Sequence, residues 1–290
     1  MSLTPTEPIL ILSDLHLGHR ASRIKHPDQL APLLHGPGTI IFNGDTSEMR
    51  NPEDRQVGRK LAADLARLCH QAGRKAFFVN GNHDPTVSTI NHLDLADGAV
   101  LVTHGDILFL GVAPWSREAG HYLRKHRQLL NRLGPDGYAD FENRLRASKR
   151  TSIELQMLEA PLTRGRTPGL HLFIRNCWPP WRPLMIIKAW CEVPGRAAHL
   201  ARVFRPQARF IIVGHTHCPG AWVVPPHVII NTGSFVPYFG ACTAIIESGR
   251  IEVRRIEIRR GQFVIGKLMR RFAVTPLEAT EIGPTSQEYG

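Results

Sequence analysis

Long apolar runs are missing from this chain. No stretch nears the roughly 20 uninterrupted apolar residues that a membrane-spanning helix needs. The N-terminal residues Met1 to Pro8 lack the basic region of a secretory signal, and the run that follows, Ile9–Leu12, is too short to be one. Cysteine is sparse and unpaired. Cys69, Cys177, Cys191, Cys218 and Cys242 are odd in number and scattered, with no Cys-x-x-Cys spacing. That argues against a disulfide framework and a zinc ribbon, and fits a reducing compartment. Cys218, next to His217, reads as a buried structural thiol. Internal repeats and low-complexity tracts are absent as well. The expected location is therefore the cytoplasm. A length of 290 residues with 42% apolar content leaves ample material for one layered domain with an insertion.

Charge is present but unevenly placed. The segment from Arg117 to Arg209 holds 18 Lys/Arg and 7 Asp/Glu, which equals the whole net charge of +11; the rest of the chain is balanced. A basic segment of this kind suits polyanions, whether nucleic acid, anionic lipid headgroups or phosphorylated substrates. The alternative is a solvated, arginine-rich helical surface.

Short apolar runs at Ile9–Leu12, Thr39–Phe42 and Lys75–Val79 each end in polar residues and glycine, and read as buried strands. Between the second and third, Glu53–Ala72 carries Val57, Leu61, Leu65 and Leu68 at helical spacing, bounded by Pro52 and Gly73. Strand, helix, strand in this order predicts parallel pairing through crossovers. Ala99–Thr103 and Ile107–Leu110 read as further strands. Helical patterning follows over Arg117–Leu133 and Asp136–Leu158, with Leu123, His126, Leu130, Leu133, Tyr138, Phe141 and Leu145 on the inner faces. Next comes a Pro/Gly/Trp-rich stretch from Pro161 to Pro194, then a short helix over Ala197–Phe204. Strand signals return at Arg209–Val213, Trp222–Val224, Val228–Ile230, Cys242–Glu247 and Ile251–Ile258, the last alternating apolar with charged residues.

Five blocks place metal-type ligands at the ends of predicted strands: Asp14-Leu-His16, Gly44-Asp45, Gly81-Asn82-His83-Asp84, His104-Gly-Asp106 and Gly214-His215-Thr-His217. Loops after the carboxyl ends of strands are where open α/β sheets put their sites. Each block alone is weak, since D-x-H and H-x-H arise by chance. Five in succession, each after an apolar run, point to ion binding, because buried Asp and His without partners are costly. Oxygen ligands mixed with imidazoles suit manganese, iron or zinc better than the all-thiolate sites of structural zinc do. Two such ions activate water and stabilise charge on a phosphoryl group.

In this order the blocks resemble the calcineurin-like metallophosphoesterase superfamily, over roughly residues 8–110 and 208–258. The resemblance implies a four-layer α/β/β/α sandwich of two mixed sheets with a helical insertion, or lid. It divides the chain into a core of residues 1–115 and 206–274, a lid of 116–205, and a flexible tail of 275–290. It also implies two divalent metal ions. Asp14, His16 and His217 would hold one, Asp45 would bridge, and Asn82, His104 and His215 would complete the other. His83, with Asn82, would face the substrate phosphate, and Asp84 would orient His83. Asn231-Thr-Gly-Ser234 resembles the family's closing element.

Within the superfamily, Ser13-Asp-Leu-His-Leu17, Asp45 with Glu48 nearby, and Val102-Thr-His-Gly-Asp106 resemble the UDP-2,3-diacylglucosamine diphosphatase branch of lipid A biosynthesis. At His83 the chain carries the superfamily's commoner residue where that branch has arginine. The branch implies a manganese-dependent pyrophosphatase that cleaves a nucleotide-linked lipid to a lipid monophosphate and UMP. It also implies peripheral contact with the inner membrane through the lid. Leu172, Phe173, Trp178, Trp181, Met185, Ile186, Ile187 and Trp190 beside Arg and Lys suit such a surface, and Arg259–Arg271 reads as an extra surface anchor. The competing expectation is a general phosphodiesterase or nuclease. A protein phosphatase is disfavoured, because Thr-Ser-Glu-Met follows Asp45 in place of a G-D-x-x-D-R-G block.

Overall fold

Side chains along a strand alternate between two faces, and that alternation sorts the apolar runs into layers. The computed structural model describes residues 4–36, 38–50, 52–116, 118–156, 181–237 and 240–274. Strand β1 (Ile9–Leu12) is buried throughout; Ile9 and Ile11 enter one core, Leu10 and Leu12 another. It pairs in parallel with β2 (Thr39–Asn43), which pairs in parallel with β3 (Lys75–Val79). The second sheet begins with β4 (His92–Leu95) and β5 (Val100–Thr103) and continues with β6 (Phe210–Val213), β7 (Gly220–Val224) and β8 (His227–Asn231). The chain then returns to the first sheet through β9 (Cys242–Glu247), β10 (Arg250–Arg259) and β11 (Gln262–Ala273). Strand order is β11-β10-β9-β1-β2-β3 in the first sheet and β4-β5-β6-β8-β7 in the second. Both sheets are mixed, as expected.

The sheets face each other through Ile9, Ile11, Ile41, Val79, Val100, Val102, Phe210, Ile212 and Ile230, all 4% exposed or less. Full burial of each such side chain contributes about 1.5–3 kcal/mol. The outer face of the first sheet is covered by α1 (Ala31–Leu34) and α2 (Pro52–Gln71), whose Leu33, Leu34, Leu65 and Cys69 meet Leu10, Leu12, Ile40 and Phe42. Val57 lies off that face, 51% exposed. Gly73, at φ 80°, ends the helix in the left-handed conformation that glycine tolerates. The outer face of the second sheet is covered by α5 (Phe141–Gln156) and α6 (Trp181–Phe204), through Phe141, Leu145, Val193 and Ala197 against Leu101, Ile211 and Ile229. Helices α3 (Ala119–Asn131) and α4 (Gly134–Ala139) pack against α5.

Several elements differ from expectation. Ile107–Leu110 is not a strand: Gly105, at φ 106°, turns the chain into a single 3-10 turn, Asp106–Leu108, whose apolar residues pad the outer face of the second sheet. The helix expected over Asp136–Leu158 breaks at Asp140, whose carboxylate accepts the N–H of Asn143 at 2.7 Å and so starts α5 afresh. Tyr138 is consequently 47% exposed and not on an inner face. The short helix expected at Ala197–Phe204 starts at Trp181 and runs through Pro194, because Ala189, Val193, Ala197, Ala198 and Ala201 keep one face against the sheet. Arg259–Arg271 is mostly β11, in a hairpin with β10, with Phe263 buried against Phe235. Cys218 is half-buried, Cys69 and Cys242 are buried and Cys191 is exposed. Leu172, Phe173, Cys177, Trp178 and the tail 275–290 lie outside the described residues. No helix among the described residues is long and apolar enough to cross a membrane.

One buried ion pair ties the helical region to the core. Asp106 accepts from Lys149 Nζ and Ser148 Oγ of α5, both at 2.6 Å, with the Asp106 and Lys149 side chains 0% and 5% exposed. Burial opposes ionisation of Asp106, but Lys149, His104 and His215 hold its pKa down at about 2. Removing one partner strands a buried charge. Lys149→Met is expected to cost about 3–5 kcal/mol in urea unfolding, and adding Asp106→Leu should recover much of that loss.

Candidate metal centre

The ligand blocks leave the sheets at the ends of β1, β2, β3, β5 and β6, so the strand order brings five separate turns to one edge of the sandwich. Their backbones are strained. Asp14 (φ 52°), His16 (48°), Asp45 (51°), His215 (65°) and His217 (59°) all occupy the left-handed region. Each costs about 1–2 kcal/mol in a residue with a Cβ. Glycine is needed beside them: a Cβ on Gly44 would strike the His104 ring, and one on Gly214 would strike Ser13 and the Asp14 carboxylate.

Two clusters of the expected ligands result, and His16, Asp45 and His83 form a third group within the same 4.8 Å limit. In the first, ligand atoms of Asp14, His16 and His217 lie within 4.8 Å of one another. His217 Nε2 is 3.1 Å from Asp14 Oδ1 and 3.2 Å from His16 Nε2. In the second, Asp45, His104 and His215 meet the same limit. His104 Nε2 sits 3.3 Å from Asp45 Oδ2 and 3.1 Å from Asn82 Oδ1. Asp45 Oδ2 also lies 3.9 Å from His16 Nε2, so this carboxylate stands between the two clusters. Every residue expected as a metal ligand is therefore brought to this edge.

Surrounding hydrogen bonds orient the rings. His104 Nδ1 donates to the Asn43 carbonyl at 2.9 Å, which turns Nε2 inward. His215 Nε2 donates to the Val112 carbonyl at 2.9 Å, leaving Nδ1 inward. The Asp14 carboxylate accepts the His215 N–H, and Asp45 Oδ1 accepts the His83 N–H at 2.8 Å. Ser234 Oγ and the Phe235 N–H both reach the Asp14 carbonyl, and Asn231 Nδ2 reaches the Gly214 carbonyl, so the Asn231–Ser234 block braces two ligand turns.

Burial drives His16 well below its usual pKa, reinforced by His83, and burial brings His215 to about 4. These rings are held neutral with lone pairs free. Burial opposes ionisation of Asp45, but His104, His83 and His16 hold its carboxyl well below the usual range. Burial also disfavours a charged His104, yet Asp45 raises it to about 10. Two buried carboxylates, four imidazoles and one amide oxygen, on strained turns, fit a pair of divalent cations of borderline softness. The donor set does not select among manganese, iron and zinc.

His83 sits beside both clusters, its ring 4.6 Å from that of His16 and its Nε2 3.8 Å from Asp45 Oδ2. Its orienting acid is not the expected Asp84. That carboxylate instead accepts the backbone N–H groups of Asp45, Thr46, Ser47 and Gly81 at 2.7–3.2 Å, pinning the β2 turn to the β3 turn. Burial, then the nearby Asp45, pushes the Asp84 carboxyl up to about 7, against the pull of those donors. His83 Nδ1 bonds Glu48 Oε2 at 3.0 Å, and Arg50 Nε donates to Glu48 Oε1 at 3.0 Å. Burial and Arg50 depress His83, but Asp45 and Glu48 raise it overall. Glu48 stood near the right block in the sequence, and only its three-residue offset from Asp45 hinted at this role.

The sandwich and its paired carboxylate–imidazole clusters define a metal-dependent phosphoester hydrolase. The calcineurin-like phosphoesterase family matches residues 7–219, and the chain belongs to it. No curated protein matches the chain. Among solved structures, Vacuolar Protein Sorting 29 from Cryptosporidium parvum is 11% identical over 93% of this chain and 100% of its own, with a TM-score of 0.40. The phosphoesterase Yfce from E. coli is 12% identical over 92% and 99%, with a TM-score of 0.38. A predicted phosphoesterase from Streptococcus pneumoniae TIGR4 is 13% identical over 94% and 99%, with a TM-score of 0.37.

If the strained turns exist to hold ions, Gly44→Ala displaces the His104 ring and should lower metal content by about one ion per chain in elemental analysis. Metal binding to the native protein at about 100 times its Kd should add about 2.7 kcal/mol of stability. That gain should vanish with chelator and shrink in the Gly44→Ala protein.

Proposed function

We propose that this hydrolase cleaves the pyrophosphate of a nucleotide-linked lipid, similar to UDP-2,3-diacylglucosamine, to a lipid monophosphate and a nucleoside monophosphate. The observation that carries this reading is the make-up and attachment of α6. Its first turns expose Trp181 (59%), Leu184 (66%) and Ile187 (50%) beside Arg182 and Lys188. Trp190, on the same helix, donates through Nε1 to the Thr216 carbonyl at 2.8 Å, inside the turn that carries His215 and His217. An apolar and cationic helix thus adjoins the metal turns, which suits an acyl-bearing, anionic substrate at a membrane surface. The proposed setting is cytoplasmic, peripheral on the inner membrane, with manganese as the proposed metal.

In this reading Asp14, His16, Asp45, Asn82, His104, His215 and His217 hold two divalent ions. Such ions supply positive charge for the phosphoryl oxygens and a water of lowered pKa. His83, held through Nδ1 by Glu48, presents Nε2 to the phosphoryl group and delivers a proton to the leaving oxygen. Asn82 supplies an amide to the same face. Asp84 keeps the turns of β2 and β3 in register, and so fixes the separation of Asp45 and His83.

The second reading, a phosphodiesterase or nuclease, draws on the +11 of the Arg117–Arg209 segment. One experiment separates the two. Purified protein with manganese should release UMP from UDP-diacylglucosamine in mixed micelles faster than it cleaves single-stranded DNA. Nuclease activity without UMP release would replace the lipid reading by the second.

His83→Ala should lower kcat by about 10²–10⁴ with metal content intact. The Glu48 carboxylate raises the His83 pKa, so it helps keep the proton on up to higher pH. In Glu48→Gln the alkaline limb of the kcat profile should therefore move to lower pH. A limb that stayed in place would remove Glu48 from this role.

A further inference from the structure

His19 is a half-buried donor beside the site that the metal ligands and His83 do not account for. It follows the first ligand turn, its N–H bonded to the His16 carbonyl at 3.0 Å, and its ring lies 6.1 Å from the His16 ring. The tautomer is fixed by one contact: Nδ1 accepts the backbone N–H of Ala21 at 3.1 Å. The ring is therefore neutral, with its proton on Nε2. Among the described residues, no hydrogen-bond partner is found for that Nε2–H. Solvent reaches this nitrogen, so water meets the donor until a ligand oxygen takes that place. Nδ1 faces the ring's own turn, so Nε2 faces the opposite way. The charged groups that act on this ring, apart from Arg20 of its own turn, are Glu48, His83 and Arg50, which line the His83 side of the centre.

We propose that His19 is a further substrate-contacting residue, whose Nε2–H donates to a non-bridging phosphoryl oxygen on the His83 side of the metal pair. A neutral donor there strengthens as charge builds on the phosphoryl oxygens, and needs no change of protonation during turnover. His19 would hold the phosphate from the His83 side and fix which oxygen faces His83. This assignment depends only on phosphoester hydrolysis, whatever the natural substrate.

Two substitutions separate donor from turn-closer. In His19→Asn the side-chain oxygen can keep the Nδ1 contact to Ala21, but the distal donor is gone. In His19→Gln the amide can place an N–H near the position of Nε2, but the contact to Ala21 is gone. Activity is read with manganese and bis(p-nitrophenyl) phosphate, so failure of the lipid reading would leave the assay intact. Inhibition by inorganic phosphate, metal content and Tm are measured alongside. The expected result is that His19→Asn loses about ten- to a hundredfold in kcat/KM and binds phosphate more weakly, with full metal content. His19→Gln should stay within a few-fold of the native protein in both. The proposal is overturned if His19→Asn is as active as the native protein, if His19→Gln is the more damaged of the two, or if either change acts by emptying the metal sites.

Discussion

The carboxylate of Asp45 is the constraint around which the molecule is arranged. It is 1% exposed, on a left-handed residue at the end of β2, with three imidazoles around Oδ2 and a backbone N–H on Oδ1. An isolated carboxylate in such a place would be protonated or would expel itself toward water. Here each compensating group arrives from a different strand end: His16 after β1, His83 after β3, His104 after β5. Gly44 has no Cβ because the His104 ring fills that space, and Asp84 is pinned to the Asp45 turn by donated N–H groups. The two sheets must then meet in one register, since sliding either by a residue would turn its ligands into the core.

Much of this was legible because ligand chemistry is local. Asp14, His16, Asp45, Asn82, His104, His215 and His217 each follow an apolar run within a few residues, and strand ends in an α/β sheet converge. The helix over α2 was readable from Leu61, Leu65 and Leu68 at period 3.6, though Val57 shared the period without the burial. Contacts between blocks were not legible. Sequence puts Asp84 next to His83, yet adjacent residues on a turn point apart, and the acid that reaches the ring is Glu48, 35 positions earlier. Asp106 ends the His104 block, and the 3-10 turn carries it to Lys149 of α5, a contact 43 positions away.

Elements at the sheet margins were misread for a common reason. Strand β4 (HLDL) carries too few apolar residues to signal, because it is an edge strand covered on one side only. Strand β11 reads as basic because its outer residues are Lys and Arg, the usual protection of a long edge. Pro194 suggested a helix boundary, but a proline costs only its own missing hydrogen bond and a local clash, about 3 kcal/mol. The alanine-rich face around it, Ala189 to Ala201, lets α6 lie close on the second sheet and outweighs that cost.

The surplus charge of the Arg117–Arg209 segment divides once its arginines are followed individually. Arg144 stacks over Tyr138 and Phe204, Arg196 over Phe109, and Arg205 over Phe141 while also binding Asp94. These guanidinium groups are packing residues, chosen because a planar, weakly hydrated cation can cover an aromatic face where an ammonium cannot. Arg146, Arg150 and Lys188 sit in exposed pairs with glutamates four residues away, each worth little by itself. What the segment supplies is consequently a field more than a set of contacts: long-range attraction for an anion approaching the metal edge. Such a field acts on any anion alike, and α6 is fastened to the metal edge by the Trp190 bond to the His215–His217 turn.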